Sequence, residues 1–321
     1  MSTIGEITTT RGRHQTQTED ARYTPKSKLR KYLPLYLSVA PFFIVFLCFN
    51  LIPTLFSLYL AFQKWDGIEP MHFIGFNNFE YALTDSVFWQ SVLNTFEIWI
   101  MSTIPMLFFA LIIAFLLNQR KKSKFLFQVC YFLPYITSIV AITLIFGSLF
   151  APQYGLINLT LQAAHIPGVQ WLSAAWPMKW AIAILVIWRW TGYNALIYTA
   201  GLQSIPGEFY EAARVDGANT MNIFTSITLP LLRPVILFTV ITSTIGGMTL
   251  FVEPQILFST NGSTNGGGVG HAGLTMQLYQ YWQAFTQDRY GYGAAVSWIM
   301  FFIILIFTFI NWNVIMRNND Q

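Results

Sequence analysis

The sequence predicts an all-α fold: a polytopic membrane bundle of six transmembrane helices with both termini cytoplasmic. Three observations predict it. Of 321 residues, 54% are hydrophobic and only 10% charged, with a mean hydropathy of +0.49. An ordinary soluble domain carries about 25% charged residues, so this chain cannot cover a water-facing surface. Six stretches each approach the roughly 20 apolar residues needed to cross about 30 Å of hydrocarbon. Finally, Lys and Arg fall mostly on one side of those stretches, which orients them. Soluble enzyme, disordered protein and disulfide scaffold are excluded at once. The net charge of +4 does not indicate a nucleic-acid partner, because that reading needs a basic face on a soluble module.

Residues 1–33 form a polar cytoplasmic tail containing Arg11, Arg13, Arg22, Lys26, Lys28, Arg30 and Lys31. No apolar segment of a secretory signal lies within it, so it reads as a retained, flexible tail. Its basic residues attract anionic membrane lipid, at about 1 kcal/mol each near the surface. The transmembrane domain, 34–316, holds predicted spans at 35–62, 92–117, 125–150, 180–202, 235–257 and 294–315. Pro41 and Pro53 predict a kink in the first. The third begins near Pro134, which first turns tolerate. In the fifth, Gly246-Gly247 offers close helix packing or bending. Cys48 and Cys130 lie in apolar runs and read as packing residues.

The spans place 14 basic residues on one side and only Lys64, Lys179 and Arg289 on the other. The basic side is cytoplasmic. External segments 63–91 and 151–179 carry Trp65, Trp89, Trp171 and Trp176 as interfacial anchors. External segment 258–293 contains a glycine-rich stretch, Asn261 to Gly268. No Lys-Ser/Thr follows it, so it is no phosphate-cradling loop. That pattern occurs nowhere in the chain, and nucleotide energy must come from another polypeptide.

Cytoplasmic loop 203–234 is the most organised segment. Pro206 can open a short helix at its first turn, and Gly217 supplies the left-handed residue that ends it. Asn219 suits the N-cap of a second short helix, and Pro230 and Pro234 bound the return to the membrane. The first helix exposes Glu208, Glu211 and Asp216, while Ala212 and Ala213 are small enough for close approach by a partner. Phe224, Ile227 and Leu231 are expected to pack the second helix on the bundle.

This loop resembles the EAA loop of binding-protein-dependent ABC importer permeases. Glu211-Ala212-Ala213, Asp216-Gly217-Ala218, Phe224, Ile227, Leu229-Pro230 and Pro234 stand at the family spacing. Ala200 to Pro206, Phe73 to Phe79 with Asn94-Thr95, Phe251 to Gly268, and Tyr290 to Ala295 are similar to the carbohydrate-uptake branch. The resemblance covers about residues 33–315. It is to the six-span form, similar to the maltose transporter's larger membrane subunit without its extra N-terminal spans and large external insertion.

The resemblance implies a transport subunit, not an enzyme, in the prokaryotic plasma (inner) membrane. It implies no catalytic, metal or cofactor residues here, with ATP hydrolysed by a dimer of ATP-binding subunits. Glu208, Glu211, Ala212, Ala213, Asp216, Gly217 and Ala218 would form the ATPase-coupling surface. A second, related permease subunit and an external solute-binding protein are the implied partners. A disaccharide or oligosaccharide is the implied solute, with glycerol phosphate as an alternative. An ion-coupled secondary transporter would place ionisable groups at mid-bilayer on several broken helices, and only Arg189 lies that deep. An intramembrane enzyme would need histidines within spans, whereas His14, His72, His165 and His271 lie in the tail or external loops.

Arg189 costs about 2.5–3.5 kcal/mol near mid-helix on the insertion scale. The Ile, Leu and Val of 180–202 return about 0.3–0.6 kcal/mol each. The margin is thin, so Arg189 should face protein or a wet cavity, with Tyr193 one turn on and Asn194 on a neighbouring stripe. Two roles stay open. These residues line the translocation path, or Arg189 holds the paired permeases together through a carboxylate. Glu97 and Glu253, near outer span ends, read as partly hydrated pairing residues.

Overall fold

The computed structural model describes residues 25–118, 124–259 and 266–316. The tail before Pro25, the basic loop Arg120 to Lys122, the stretch Asn261 to Asn265, and Arg317 lie outside the described residues. The chain divides into units Met1–Leu55 and Phe56–Gln321.

In the first unit, α1 (Pro25–Phe46) contains Pro34 and Pro41. Lys26, Lys28, Arg30 and Lys31 therefore lie along a helix. α1 runs through a π-helical turn, Leu47–Leu51, into α2 (Ile52–Leu60). Pro53 has no N–H and its ring crowds the carbonyl one turn back. The widened turn, in which the Ile52 N–H donates to the Leu47 carbonyl, absorbs that clash.

The second unit continues with a two-residue ladder, Gln63–Lys64 against His72–Phe73. Then come α3 (Asn77–Thr84), α4 (Ser86–Asn118), α5 (Lys124–Ile136), α6 (Ile139–Leu149), α7 (Leu156–Ala163) and α8 (Ala175–Gln203). They are followed by α9 (Gly207–Val215), α10 (Thr220–Ile223), α11 (Leu229–Met248), α12 (Val252–Ser259), α13 (Met276–Tyr281) and α14 (Tyr290–Met316). Five helical stretches among the described residues are long and apolar enough to cross a membrane, and a bent pair makes a sixth if counted as one.

α4 and α8 form the spine. Ala110 and Ala114 of α4 are fully buried with Ala195, Tyr198 and Leu202 of α8 and Leu232 of α11. Small residues let these backbones approach, which is how helices gain dispersion contact where apolar burial against lipid gives nothing. Toward the other end, Ile98 of α4 packs with Ile182 and Leu185 of α8, Phe146 of α6, and Leu257 and Phe258 of α12. The matching ends of α4 and α8 therefore lie together.

The third predicted span is broken. α5 and α6 meet at 91°, and Pro134 sits in the last turn of α5 rather than the first turns of a continuous span. Pro134 leaves the carbonyl of Cys130 without its helical donor. Ser138 is extended at ψ 123°, and α6 restarts as the Ile142 N–H donates to the Ser138 carbonyl at 3.0 Å. α8 fixes the bend, passing so close that a Cβ on Gly192 would stand 1.7 Å from the Tyr131 carbonyl oxygen.

The fifth predicted span is also interrupted, at Thr249–Phe251 between α11 and α12. Its glycine pair divides the expected roles. A Cβ on Gly247 would lie 2.6 Å from Trp99, whereas Gly246 faces open space. One other expectation is corrected. Cys48 and Cys130 are exposed rather than packed inside. The half-buried Trp171 packs its ring on Phe150 at 5.2 Å, and its indole N–H donates to the buried Asn158 at 3.1 Å.

Candidate coupling and translocation sites

The coupling loop forms the expected helix–glycine–helix corner, with corrected register. Pro206 is the N-cap residue of α9 rather than its first helical residue. At the far end Gly217 has φ +77°. Its N–H donates to the Arg214 carbonyl at 3.1 Å, and the Ala218 N–H to the Ala213 carbonyl at 2.9 Å. Those two bonds make a Schellman cap, which requires the left-handed residue. The Asn219 side chain then accepts from the Asn222 N–H at 2.8 Å, capping the next helix.

That second helix is not short. α10 passes through a π-helical turn, Phe224–Thr228, directly into α11, so Pro230 and Pro234 lie inside it. The face turned to the bundle is Thr228 and Leu232, both fully buried, while Leu231 is 44% exposed. Phe224 packs edge-on against Phe115 of α4 at 4.9 Å. A hydroxyl contact of 3.5 Å from Thr228 to Tyr210 joins α9 to this continuous rod.

No residue of α9 is buried. Glu208, Glu211, Ala212, Asp216 and Gly217 are exposed, and Ala213 and Ala218 are half-buried against each other's turn. Phe209 (50%), Val215 (87%) and Met221 (67%) are exposed as well. Apolar and acidic side chains thus stand exposed together on this segment.

The second candidate site lies where α4, α5, α8 and α11 converge. Tyr135, Trp190, Tyr193, Thr103, Thr242 and Ser243 line a cavity of about 220 Å³. Tyr135 stacks on Tyr193 at 4.6 Å, and Trp190 stands edge-on to both, at 5.1 and 5.6 Å. Arg189 is held over these rings, 5.3 Å from Trp190 and 5.8 Å from Tyr135, a cation–π arrangement that gains strength when desolvated. Its Nε is buried without a hydrogen-bond partner. Glu253 of α12 is 3% exposed.

Tyr193 thus lines the cavity and Arg189 braces its wall. Asn194 lies behind, 1% exposed, donating to the Trp190 carbonyl at 3.0 Å and to Met106 Sδ at 3.8 Å. Sequence reasoning missed Tyr135, Trp190, Thr242 and Ser243. Trp190 sits next to Arg189 and was within reach. Tyr135 arrives only through the bend after α5, which no periodicity signals.

At the end opposite the coupling loop, the chain is closed by residues 266–281. Asn94 of α4 donates to the carbonyls of His271 (2.7 Å) and Leu274 (3.1 Å). Thr95 accepts from the Met276 N–H at 2.8 Å. Tyr279 donates to Asp85 at 2.5 Å and shares a 2.7 Å bond with Tyr292. Burial, together with the Asp85 carboxylate, pushes the Tyr279 phenol far above its ordinary range, so it remains a donor. Glu97 pairs with Lys179, tying α4 to α8 as a pairing role requires. Asn94→Leu leaves the half-buried His271 carbonyl and the buried Leu274 carbonyl without this donor, the latter at about 1–3 kcal/mol. Faster protease cleavage between residues 259 and 275 is expected, and an unchanged rate would contradict the stapling role.

Residues 98–317 match the family described as binding-protein-dependent transport system inner membrane component. The chain is 37% identical over 293 residues to the lactose transport system permease protein LacF of Rhizobium radiobacter, covering 89% of this chain and 96% of that one. It is 34% identical over 278 residues to the arabinooligosaccharides transport system permease protein AraP of Bacillus subtilis, covering 86% of each. Among solved structures, it shares the fold of a bacterial ABC transporter involved in import of the acidic polysaccharide alginate. There the TM-score is 0.79 at 22% identity, over 92% of this chain and 99% of that chain.

Proposed function

The chain belongs to the binding-protein-dependent transport system inner membrane components, a multi-pass family driven by a partner ATPase, and we propose that it imports a carbohydrate. In this reading it is one of two related permease subunits in a prokaryotic inner membrane, crossing six times with both termini cytoplasmic. A disaccharide or oligosaccharide reaches it from an external solute-binding protein. The likeness to lactose and arabinooligosaccharide permeases over most of both chains supports that solute class.

The observation that carries the mechanism is the exposed α9–Gly217 corner, continuous with the long rod from Thr220 to Met248. A groove on one ATP-binding subunit receives Glu208, Glu211, Ala212, Ala213, Asp216, Gly217 and Ala218. Glu211 and Asp216 pair with cations there, and Ala212 and Ala213 allow backbone contact. When the ATPase dimer closes, the corner moves and the rod transmits the displacement as a rigid body. Ser243, Thr242 and Gly246 lie on that same rod and line the aromatic cavity, so motion at the corner reshapes the path. Tyr135, Trp190 and Tyr193 offer ring faces to a sugar's C–H face, and Arg189 braces them.

Reconstitution tests this reading. Proteoliposomes holding both permeases, the ATPase and the binding protein are expected to accumulate lactose, trehalose or an arabinotriose only with internal ATP. Glu211→Lys should insert at normal levels and lose uptake. Uptake of glycerol 3-phosphate alone would overturn the carbohydrate reading, and normal uptake by Glu211→Lys would overturn the coupling role.

A further inference from the structure

A cavity of about 590 Å³ lies away from the aromatic cavity. Its walls are the 63–73 hairpin, α3 and the start of α14. It sits at the N-terminal ends of α4 and α14, opposite the coupling corner. Its size falls within the roughly 300–1,000 Å³ of small-molecule sites, with room for more than one sugar ring.

Three aromatic side chains, Trp65, Tyr81 and Tyr292, line it. They are fixed rather than loose. Trp65 packs on Tyr290 at 5.6 Å and Tyr81 stands edge-on to Tyr292 at 5.0 Å. The Tyr292 hydroxyl is bonded to Tyr279 at 2.7 Å. Buried Asn78 clamps the hairpin below by donating to the carbonyls of Ala61 and Gln63, both at 2.9 Å.

The charges are nearly balanced. Asp66 gives one oxygen to its own turn, accepting from the Ile68 and Glu69 N–H groups at 3.0 and 2.8 Å. Lys64, Arg289, Glu69 and Asp288 line the same cavity. Asp288 holds φ +51°, a left-handed conformation that aspartate adopts more readily than most residues. Fixed aromatic faces suit the C–H face of a sugar. Carboxylates accept from its hydroxyls and cations donate to them. With three carboxylates against two cations, the small net charge of the wall favours a neutral polyol over an anion.

We propose that this cavity is a second saccharide site, which receives one or two sugar units at the mouth of the bundle before they reach the Tyr135–Trp190–Tyr193 cavity. The assignment rests on the carbohydrate reading given above. Through Tyr292 and Tyr279, its occupant touches the segment stapled to α4.

The test uses the assembled transporter in nanodiscs without its solute-binding protein, with Cys48 and Cys130 replaced by serine. His72→Cys places one thiol on the cavity wall, and Tyr154→Cys, on a different exposed loop, is the control. Alkylation by a bulky maleimide is followed with lactose, trehalose or an arabinotriose present. The sugar that the complete transporter accumulates is expected to slow labelling at His72→Cys about tenfold, at roughly ten times its dissociation constant. Labelling at Tyr154→Cys should be unchanged, and Trp65→Ala should abolish the protection. Unprotected labelling by a sugar that is transported overturns the second site, as does protection that survives Trp65→Ala. Accumulation of none of the three sugars instead overturns the carbohydrate reading, and the assignment with it.

Discussion

Replacing Gly217 by leucine is expected to lower ATP-driven uptake at least about tenfold while leaving the protein folded and inserted. Conformation and access decide this, not packing. Nothing lies within 4 Å of the position a Cβ would take, so the bundle tolerates the added volume. The backbone does not: φ is +77°, and a β-carbon in the left-handed region costs about 1–2 kcal/mol. Relief of that strain breaks the two cap bonds to Ala213 and Arg214 and swings Glu211 and Asp216 out of line. If the cap survives instead, leucine stands on the docking face itself. Gly217→Asn separates these causes, since asparagine tolerates the left-handed region. It should retain most uptake. Uptake is measured in proteoliposomes beside insertion level and ATPase rate. Normal uptake by Gly217→Leu would remove α9 and its cap from the mechanism.

Gly192→Ala should act in the opposite way, through the bundle itself. The added Cβ would stand 1.7 Å from a backbone carbonyl of α5, and a backbone atom inside a helix cannot rotate away. α5 must retreat as a body. Overpacking of this kind costs about 1–3 kcal/mol or more. The retreat carries Tyr135 away from Tyr193 and opens the aromatic cavity, so uptake falls together with thermal stability. Gly246→Ala is the matched control, because its Cβ would meet nothing. In detergent, Gly192→Ala is expected to unfold several degrees earlier than the parent, with Gly246→Ala close to it. Equal stability of all three would mean that α5 and α8 are not in the contact described.

The apolar stretches were legible because a hydrocarbon solvent demands about 20 apolar residues wherever it is crossed. The coupling corner was legible because caps are local: Gly217 and Asn219 act on groups within a few residues of themselves. What composition could not reveal was where a span breaks. The residues on both sides of the bend at Thr137 and Ser138 are equally apolar, and Pro134 reads alike at the start or end of a helix. The bend depends on Gly192, far along the chain. The same holds for Leu231 and Leu232. Both are apolar and adjacent, and the π-helical turn Phe224–Thr228 rotates the face between them. Arg189 stands out in the sequence as a basic residue deep in a span, but the rings that hold it come partly from α5, and Asn194 is buried behind Trp190.

The most direct test of the central claim is hydrogen exchange across residues 207–218. Every side chain of α9 is at least partly exposed in the chain alone, so its amides are expected to exchange quickly in the permease pair. Adding the ATP-binding subunits should protect this segment selectively, with a further change when ATP closes the dimer, while exchange in 151–179 stays as it was. Unaltered exchange at 207–218 in an assembled, ATP-hydrolysing transporter would contradict the account.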